Sequence, residues 1–231
     1  MYNESEAGQE DFSSFNFWPS FADMMLSVVL ILVLVIFLVL TVLAAGSVNL
    51  KGVERNQMEF INKLAEVYHT RPVVIDTHTY GISSDIVVLN DVTLQKISFS
   101  DKLLFGRDQY ELTEQGRQTL RVVGGLLKSK LDFIREIQIQ GHADTDASRH
   151  FSSNLELAGQ RAMTVYSFLQ KDMNINPARH LMSATSFGEF KPVTRSDVDV
   201  TYNEQRLVND NSSMEKKDKN RRIELLLFYL K

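Results

Sequence analysis

The feature that most constrains this chain is an unbroken apolar run. Residues 24–45, MMLSVVLILVLVIFLVLTVLAA, contain no charged side chain. At about 1.5 Å per helical residue, the run is long enough to cross a hydrocarbon layer of about 30 Å. The residues that follow are an ordinary mixture of polar and apolar types, sufficient for one domain with its own core. We therefore predict a single transmembrane helix, residues 19–45, followed by one globular domain.

The apolar run is predicted to be an uncleaved anchor in a lipid bilayer. It is longer than the hydrophobic part of a signal peptide, and residues 1–50 contain no Lys or Arg to form a basic leader. The first positive charges, Lys51 and Arg55, follow the span. By the positive-inside rule they would place the carboxy-terminal side in the cytoplasm, although this bias rests on two residues.

A polar face interrupts the predicted span near its start. Ser20, Asp23 and Ser27 have the i, i+3, i+7 spacing of one helix face, and a helix that begins at Pro19 places Asp23 one turn inside it. One interpretation is a carboxylate among the lipid headgroups that complements the helix dipole. The other is an ion-carrying site, because acids inside membranes are costly and mark ion pathways. That second interpretation requires another subunit to cover Asp23 from lipid.

Composition and motifs exclude several classes of function. The formal net charge is −4, and no basic stripe with interleaved aromatic residues occurs, which disfavours nucleic acid binding. The absence of cysteine excludes disulfides, thiolate metal sites and a thiol nucleophile. There is no HExxH, GxSxG or phosphate-loop pattern, and the five histidines lack metal-ligand spacing. We therefore predict no enzyme activity, no metal site and no bound cofactor.

The residues after the span predict a linker helix and an α+β domain. Residues 46–72 have helical apolar spacing and could pair as a neck, lie on the membrane as a plug, or pack on the domain. Within the domain, residues 73–231, we predict strands at 73–79, 85–91, 94–100, 137–140 and 222–229, helices from 112 and over 154–171, and a loop over 194–219. Ser153 is predicted to cap the second helix, with Glu156 reaching back. This order predicts a two-layer α/β sandwich with a mixed sheet and helices on one face.

Four separated motifs resemble the OmpA-like peptidoglycan-binding domain. They are GHAD at 141–144, NLELAGQRA at 154–162, FGEFKP at 187–192 and NRRIE at 220–224. The resemblance covers about residues 95–230. It implies a domain that holds the peptide stem of the cell wall, with an Asp pairing an ammonium and an Arg pairing a carboxylate of a diaminopimelate-type residue. In this chain those residues are Asp144 and Arg161, with Asn154 as the motif Asn and Ser153 and Leu155 on the rim of the pocket.

The chain departs from the family pattern at two places near this site. Ala143 replaces the usual Thr, and the stretch from Asp144 to Asn154 is two residues longer than in compact members, which would reshape the rim. For Asp144 and Arg161, a structural ion pair or cap is the alternative role. Leu157 and Ala162 are predicted core residues, and residues 220–222 are predicted to support the end of a strand.

A span with an early Asp, followed by such a domain, resembles the B subunits of ion-driven membrane motors. The start WPSFADMM, at residues 18–25, is closer to the anti-phage Zorya family (ZorB) than to flagellar MotB-like stators, which tend to begin with a basic tail. The resemblance implies an inner-membrane homodimer inside a ring of five A subunits, with Asp23 carrying H⁺ or Na⁺. The tail, residues 1–18, is then cytoplasmic and the domain periplasmic and bound to peptidoglycan, against the weak charge bias. A MotB-like stator subunit and a passive wall anchor are the alternatives.

Overall fold

The computed structural model describes residues 17–196 and 198–230, apart from the side chains of residues 47–49. The predicted cytoplasmic tail therefore lies almost wholly outside the described residues. The chain divides into two units, residues 1–47 and 48–231. The boundary falls within helix α1, which covers Trp18–Val67.

The first unit is the amino-terminal part of α1. The Phe17 and Trp18 rings stack at 5.3 Å between centroids, and Phe21 meets Trp18 edge-on at 6.0 Å. Such a cluster of aromatic rings is typical of the membrane interface. Within the described parts of the chain, α1 is the one helix long and apolar enough to cross a membrane. Its described side chains up to residue 46 are exposed, so a single copy leaves this apolar surface uncovered.

The second unit is built on a seven-stranded sheet. Its strands are β1 (Val73–Val74), β2 (Thr79–Ser83), β3 (Ile86–Asn90), β4 (Leu94–Ser100), β5 (Ile134–His142), β6 (Leu181–Gly188) and β7 (Arg222–Tyr229). The helices are α2 (Asp101–Leu104), α3 (Glu114–Lys128), α4 (Asn154–Lys171), α5 (Glu204–Asp210) and α6 (Met214–Asn220), with a 3₁₀ turn at Leu131–Phe133.

The strand order is β1-β2-β3-β4-β7-β5-β6. The pair β5 and β6 is parallel and α4 connects it, whereas all other described pairs are antiparallel. This mixed sheet confirms the predicted α+β fold. The last strand, β7, lies between β4 and β5 and is buried along almost its whole length. Its central position explains its nearly continuous apolar sequence.

The second half of α1 belongs to the core of the domain. Phe60, Ile61 and Leu64 are at most 1% exposed and join the same cluster as α3, α4 and the sheet. Polar contacts hold the helix as well: Gln57 donates to the Asp91 carbonyl at 2.9 Å, and Lys130 lies 2.5 Å from the Glu59 carboxylate. Of the three arrangements considered for the linker, the structure has the helix packed on the domain.

Three segments differ from the sequence-based expectation. The predicted strand 73–79 is interrupted, because residues 75–78 form a turn in which the Asp76 carboxylate accepts from the His78 amide at 3.0 Å. Strand β6 was not predicted. The predicted loop over 194–219 contains α5 and α6, which form because Asn203 and Ser213 cap them by accepting from backbone amides three residues later.

Candidate functional site

The ends of three neighbouring strands bring the candidate site together. In the sheet register, Ser100 of β4 pairs with Arg222 of β7, which pairs with His142 of β5. Asp101 follows β4 directly, Arg221 precedes β7 directly, and Asp144 follows β5 by two residues. These three side chains therefore converge on one edge of the sheet, where they line a cleft of about 530 Å³.

Close packing of β5 against α4 adds the remaining predicted residues. A Cβ on Gly141 would lie 2.0 Å from the Ala158 carbonyl oxygen, so only glycine allows this approach. The approach places Asn154 and Arg161 of α4 in the lining of the cleft. The Asn154 amide donates to the Asp144 carbonyl at 3.0 Å and so fixes the strand end to the start of the helix.

Arg161 is 2% exposed and holds the segment after α2 in place. Its Nε donates to the Gln109 carbonyl at 2.8 Å, and its Nη2 donates to the Gly106 carbonyl at 3.4 Å. Its Nη1 donates to the Asp101 carboxylate at 3.2 Å, and the guanidinium lies 5.3 Å from the centre of the Phe105 ring. Three of its five N–H donors therefore meet protein acceptors.

Asp144 is 3% exposed and pairs with the Arg221 guanidinium. Its other oxygen accepts from the Asp146 amide at 3.0 Å. Arg221 also lies 3.8 Å from Asp101 through Nε. Burial raises the pKa of the Asp101 carboxyl, and the charges of the two arginines oppose that rise. The result is an alternating row of charges, Arg161, Asp101, Arg221 and Asp144, which we call the charge row.

The charge row is suited to a ligand group that carries both charges. In the charge row, carboxylates and guanidinium groups pair with one another. A ligand ammonium beside Asp144 and a ligand carboxylate beside a guanidinium could take over these pairings. Arg221 is the more accessible guanidinium, since its side chain is 25% exposed and that of Arg161 is 3% exposed.

The structure separates the predicted site residues into two groups. Asp144, Asn154 and Arg161 line the cleft, whereas Ser153 and Leu155 are not among its lining residues. Ser153 caps α4 by accepting from the Glu156 amide at 3.1 Å, as predicted. The Glu156 carboxylate, however, reaches Ser152 rather than Ser153. The Leu155 carbonyl accepts from the Ser186 hydroxyl, on the side of α4 that faces β6.

Two members of the charge row, Asp101 and Arg221, were not assigned to the site from the sequence. Arg221 was expected to support the end of a strand, yet it lines the cleft and pairs with Asp144. Its neighbour Asn220 does have the supporting role, since the Asn220 amide donates to the Asp210 carbonyl at 3.0 Å. Asp101 was missed altogether. Their position in the sequence could have indicated a role in the site, because Asp101 and Arg221 directly flank predicted strands.

Ser20, Asp23 and Ser27, the residues predicted for the ion site, lie on α1. The Ser27 hydroxyl donates to the backbone carbonyl of Asp23 at 2.9 Å, so it satisfies the helix backbone and not the carboxylate. Asp23 is the sole charged residue between positions 17 and 50 of the sequence. In the parts of the chain that the structure describes, no three His, Cys, Asp or Glu side chains form a group able to hold a metal ion.

Comparison with protein families assigns the chain to a class. Residues 104–221 match the OmpA family, and the chain belongs to that family. In sequence it is similar to the Zorya protein ZorB of Escherichia coli O139:H28 (strain E24377A / ETEC), with 28% identity over 157 residues. That similarity covers 63% of this chain and 57% of the relative, which is less than two thirds of the relative's length.

Solved structures show the same fold. A putative MotB-like protein from Desulfovibrio vulgaris is 20% identical, with a TM-score of 0.58 over 78% of this chain and 99% of that one. The periplasmic domain of Helicobacter pylori MotB is 20% identical, with a TM-score of 0.52 over 67% and 88%. These comparisons confirm the predicted resemblance to ZorB-like and MotB-like proteins. The amino-terminal apolar helix fits a single-pass membrane protein.

Proposed function

We propose that this chain is the wall-anchoring B subunit of an ion-driven inner-membrane motor. In this proposal the cleft binds the peptide stem of peptidoglycan, Asp23 carries H⁺ or Na⁺, and the domain lies in the periplasm with the amino-terminal tail in the cytoplasm. The observation that carries the anchoring function is the charge row at the strand ends. The similarity to ZorB supports the motor and the anti-phage role.

The charge row explains how the cleft would recognise a wall peptide. A diaminopimelate-type side chain ends in an ammonium and a carboxylate on one carbon. The ammonium would replace the Arg221 guanidinium at Asp144. Arg221, which also pairs with the Asp218 carboxylate, would then bind the ligand carboxylate. Arg161 would keep its contacts to Gln109 and Gly106 and so preserve the wall of the cleft. Each buried charge keeps a partner throughout, which avoids the cost of an unpaired charge.

The motor function follows from the isolated carboxylate on an otherwise apolar helix. A ring of five A subunits around two copies of this chain would cover both the apolar surface and Asp23. Moving one unit charge across about 100 mV is worth about 2.3 kcal/mol, so ion passage at Asp23 supplies usable energy. Binding of the two domains to the wall would keep the B subunits from turning with the ring.

Wall binding is tested by co-sedimentation of the full-length chain, in detergent, with purified peptidoglycan sacculi. Asp144→Asn keeps the shape of the side chain and removes the charge that holds the ammonium. We expect the affinity to fall at least about tenfold, since a charge-assisted pair is lost. Glu215→Gln is the matched control, because this exposed carboxylate pairs with Lys219 outside the cleft. Equal binding by Asp144→Asn and wild type would refute the assignment of the cleft.

The motor role is tested in cells that express the chain with its neighbouring genes. Asp23→Asn should abolish phage protection while Thr41→Val, on the same helix, should retain it, because the Thr41 hydroxyl serves the backbone carbonyl of Leu38. Immunoblots of membranes establish equal amounts. Varying external Na⁺ at fixed pH separates Na⁺ from H⁺.

The outcomes of this experiment assign the chain to one class. Loss of protection with normal swimming supports a defence motor, whereas a swimming defect places the chain among flagellar stators. If Asp23→Asn changes neither phenotype, the ion-carrier role is wrong and a passive wall anchor is left.

A further inference from the structure

The mouth of the cleft carries a second group of charged and polar residues. It consists of Arg107, Asp108, Ser148, Arg149 and His150, all of which line the cleft, and we call it the cationic rim. It joins two segments that are distant in sequence: the connection between α2 and α3, and the segment between β5 and α4. The charge row does not include any of its members.

Asp108 organises this rim. Its carboxylate accepts from the Ser148 hydroxyl at 2.6 Å and the Arg149 amide at 2.9 Å, and the His150 ring nitrogen lies 2.8 Å away. These hydrogen bonds lower the pKa of Asp108 to about 2, and the hydrogen bond from Ser148 has the largest effect. Asp108 has φ 55°, a left-handed conformation that a non-glycine residue adopts at some cost. The contacts to the 148–150 segment hold it there.

The Asp108 contacts place two arginines, Arg107 and Arg149, on the lining of the cleft without an ion pair to either guanidinium. Arg107 is the chain neighbour of Asp108, and Arg149 meets Asp108 through its backbone amide. Both arginines are exposed, and neither guanidinium has an ion pair or hydrogen bond with any residue of 17–196 or 198–230.

The other acidic residues that line the cleft are already occupied. Asp101 and Asp144 belong to the charge row, and Asp146 pairs with Lys217. The inner cleft is therefore balanced, whereas its mouth has an excess of positive charge on a chain whose net charge is −4. Cations on a concave wall attract an anion more strongly than cations on a convex surface, because the low-dielectric walls focus the field.

We propose that Arg107 and Arg149 form a second anion subsite, which takes a second carboxylate of the peptide bound at the charge row. This inference rests on the proposed wall-binding function and specifies which wall peptide the cleft prefers. The ligand is thus a peptide with three features: an ammonium and a carboxylate on one side chain, and a further free carboxylate on a neighbouring residue. The planar fork of arginine suits a carboxylate, and two forks suit a group that approaches from the open side.

The test compares two synthetic stem peptides by titration calorimetry with the full-length chain in detergent. Both contain the diaminopimelate residue; one has a free α-carboxylate on the preceding glutamyl residue, and the other has that group amidated. We expect the wild type to bind the free acid about tenfold more tightly, the effect of one charge-assisted contact. The double variant Arg107→Gln/Arg149→Gln should bind both peptides within about twofold of each other, by the same reasoning.

Two controls separate this subsite from the rest of the cleft. The amidated peptide should bind the double variant as it binds the wild type, which shows that the domain is folded and the charge row intact. Arg179→Gln removes an exposed arginine near residue 181, where β6 begins, at the other end of the sheet from the cleft, and should keep the tenfold preference.

Each result has one interpretation. Equal binding of the two peptides by the wild type, or an unchanged preference in the double variant, overturns the second subsite and leaves the wall-binding function standing. Failure of the wild type to bind either peptide overturns the wall-binding function and this subsite with it.

Discussion

Replacement of Leu64 by alanine tests whether the second half of α1 packs on the domain in solution. Leu64 is 0% exposed and lies in the common core with α3, α4 and the sheet. Removing a buried leucine side chain costs about 2–5 kcal/mol. For a domain of this size, each kcal/mol shifts the melting temperature by about 2–4 °C. A mid-range loss of about 3 kcal/mol therefore predicts a melting temperature about 10 °C lower.

The assay is thermal unfolding of the full-length chain in detergent, followed by near-ultraviolet circular dichroism. Lys63→Ala is the control, because Lys63 directly precedes Leu64, its side chain is 45% exposed, and it makes a surface pair with Glu59. Such an exposed pair contributes little to stability, so the control should melt within about 2 °C of wild type. If Leu64→Ala melts like Lys63→Ala, the helix does not pack on the domain in solution, and a neck or plug describes it better.

Two further predictions concern the cleft. Gly141→Ala should prevent folding of the domain, because the added Cβ would lie 2.0 Å from the Ala158 carbonyl oxygen. Gly125→Ala is the control: a Cβ there has no atom within 4 Å, so the substitution should stabilise α3 by about 0.5–1 kcal/mol. Thermal unfolding measures both effects. Asp108 has a pKa of about 2 when folded, below its ordinary 3.8, so its contribution to stability is present above about pH 4 and is lost as the pH falls toward 2. Asp108→Asn has no carboxylate to protonate, so it should not lose this contribution to stability between about pH 4 and pH 2. An acid unfolding transition identical to that of wild type would contradict the hydrogen bonds assigned to Asp108.

The elements with strong local patterns were predictable from the sequence. Strand β4 alternates buried and less buried residues along its whole length, and α4 has a regular apolar stripe with a Ser cap. Strand β6 lacks such a pattern, because it lies at the sheet edge and half of its residues are intermediate in exposure. Helices α5 and α6 have seven residues each and no wide apolar face, so their caps were the available signal.

The sequence by itself determined the long apolar helix, the class of domain and three residues that line the cleft, Asp144, Asn154 and Arg161. Each depends on local chemistry: an apolar run of sufficient length, or short motifs at set spacings. The tertiary structure decided that Asp101 and Arg221 complete the charge row, because strand pairing joins positions more than 100 residues apart. It also decided the cationic rim, since the partners of Asp108 lie some 40 residues along the chain and meet it only when the domain folds.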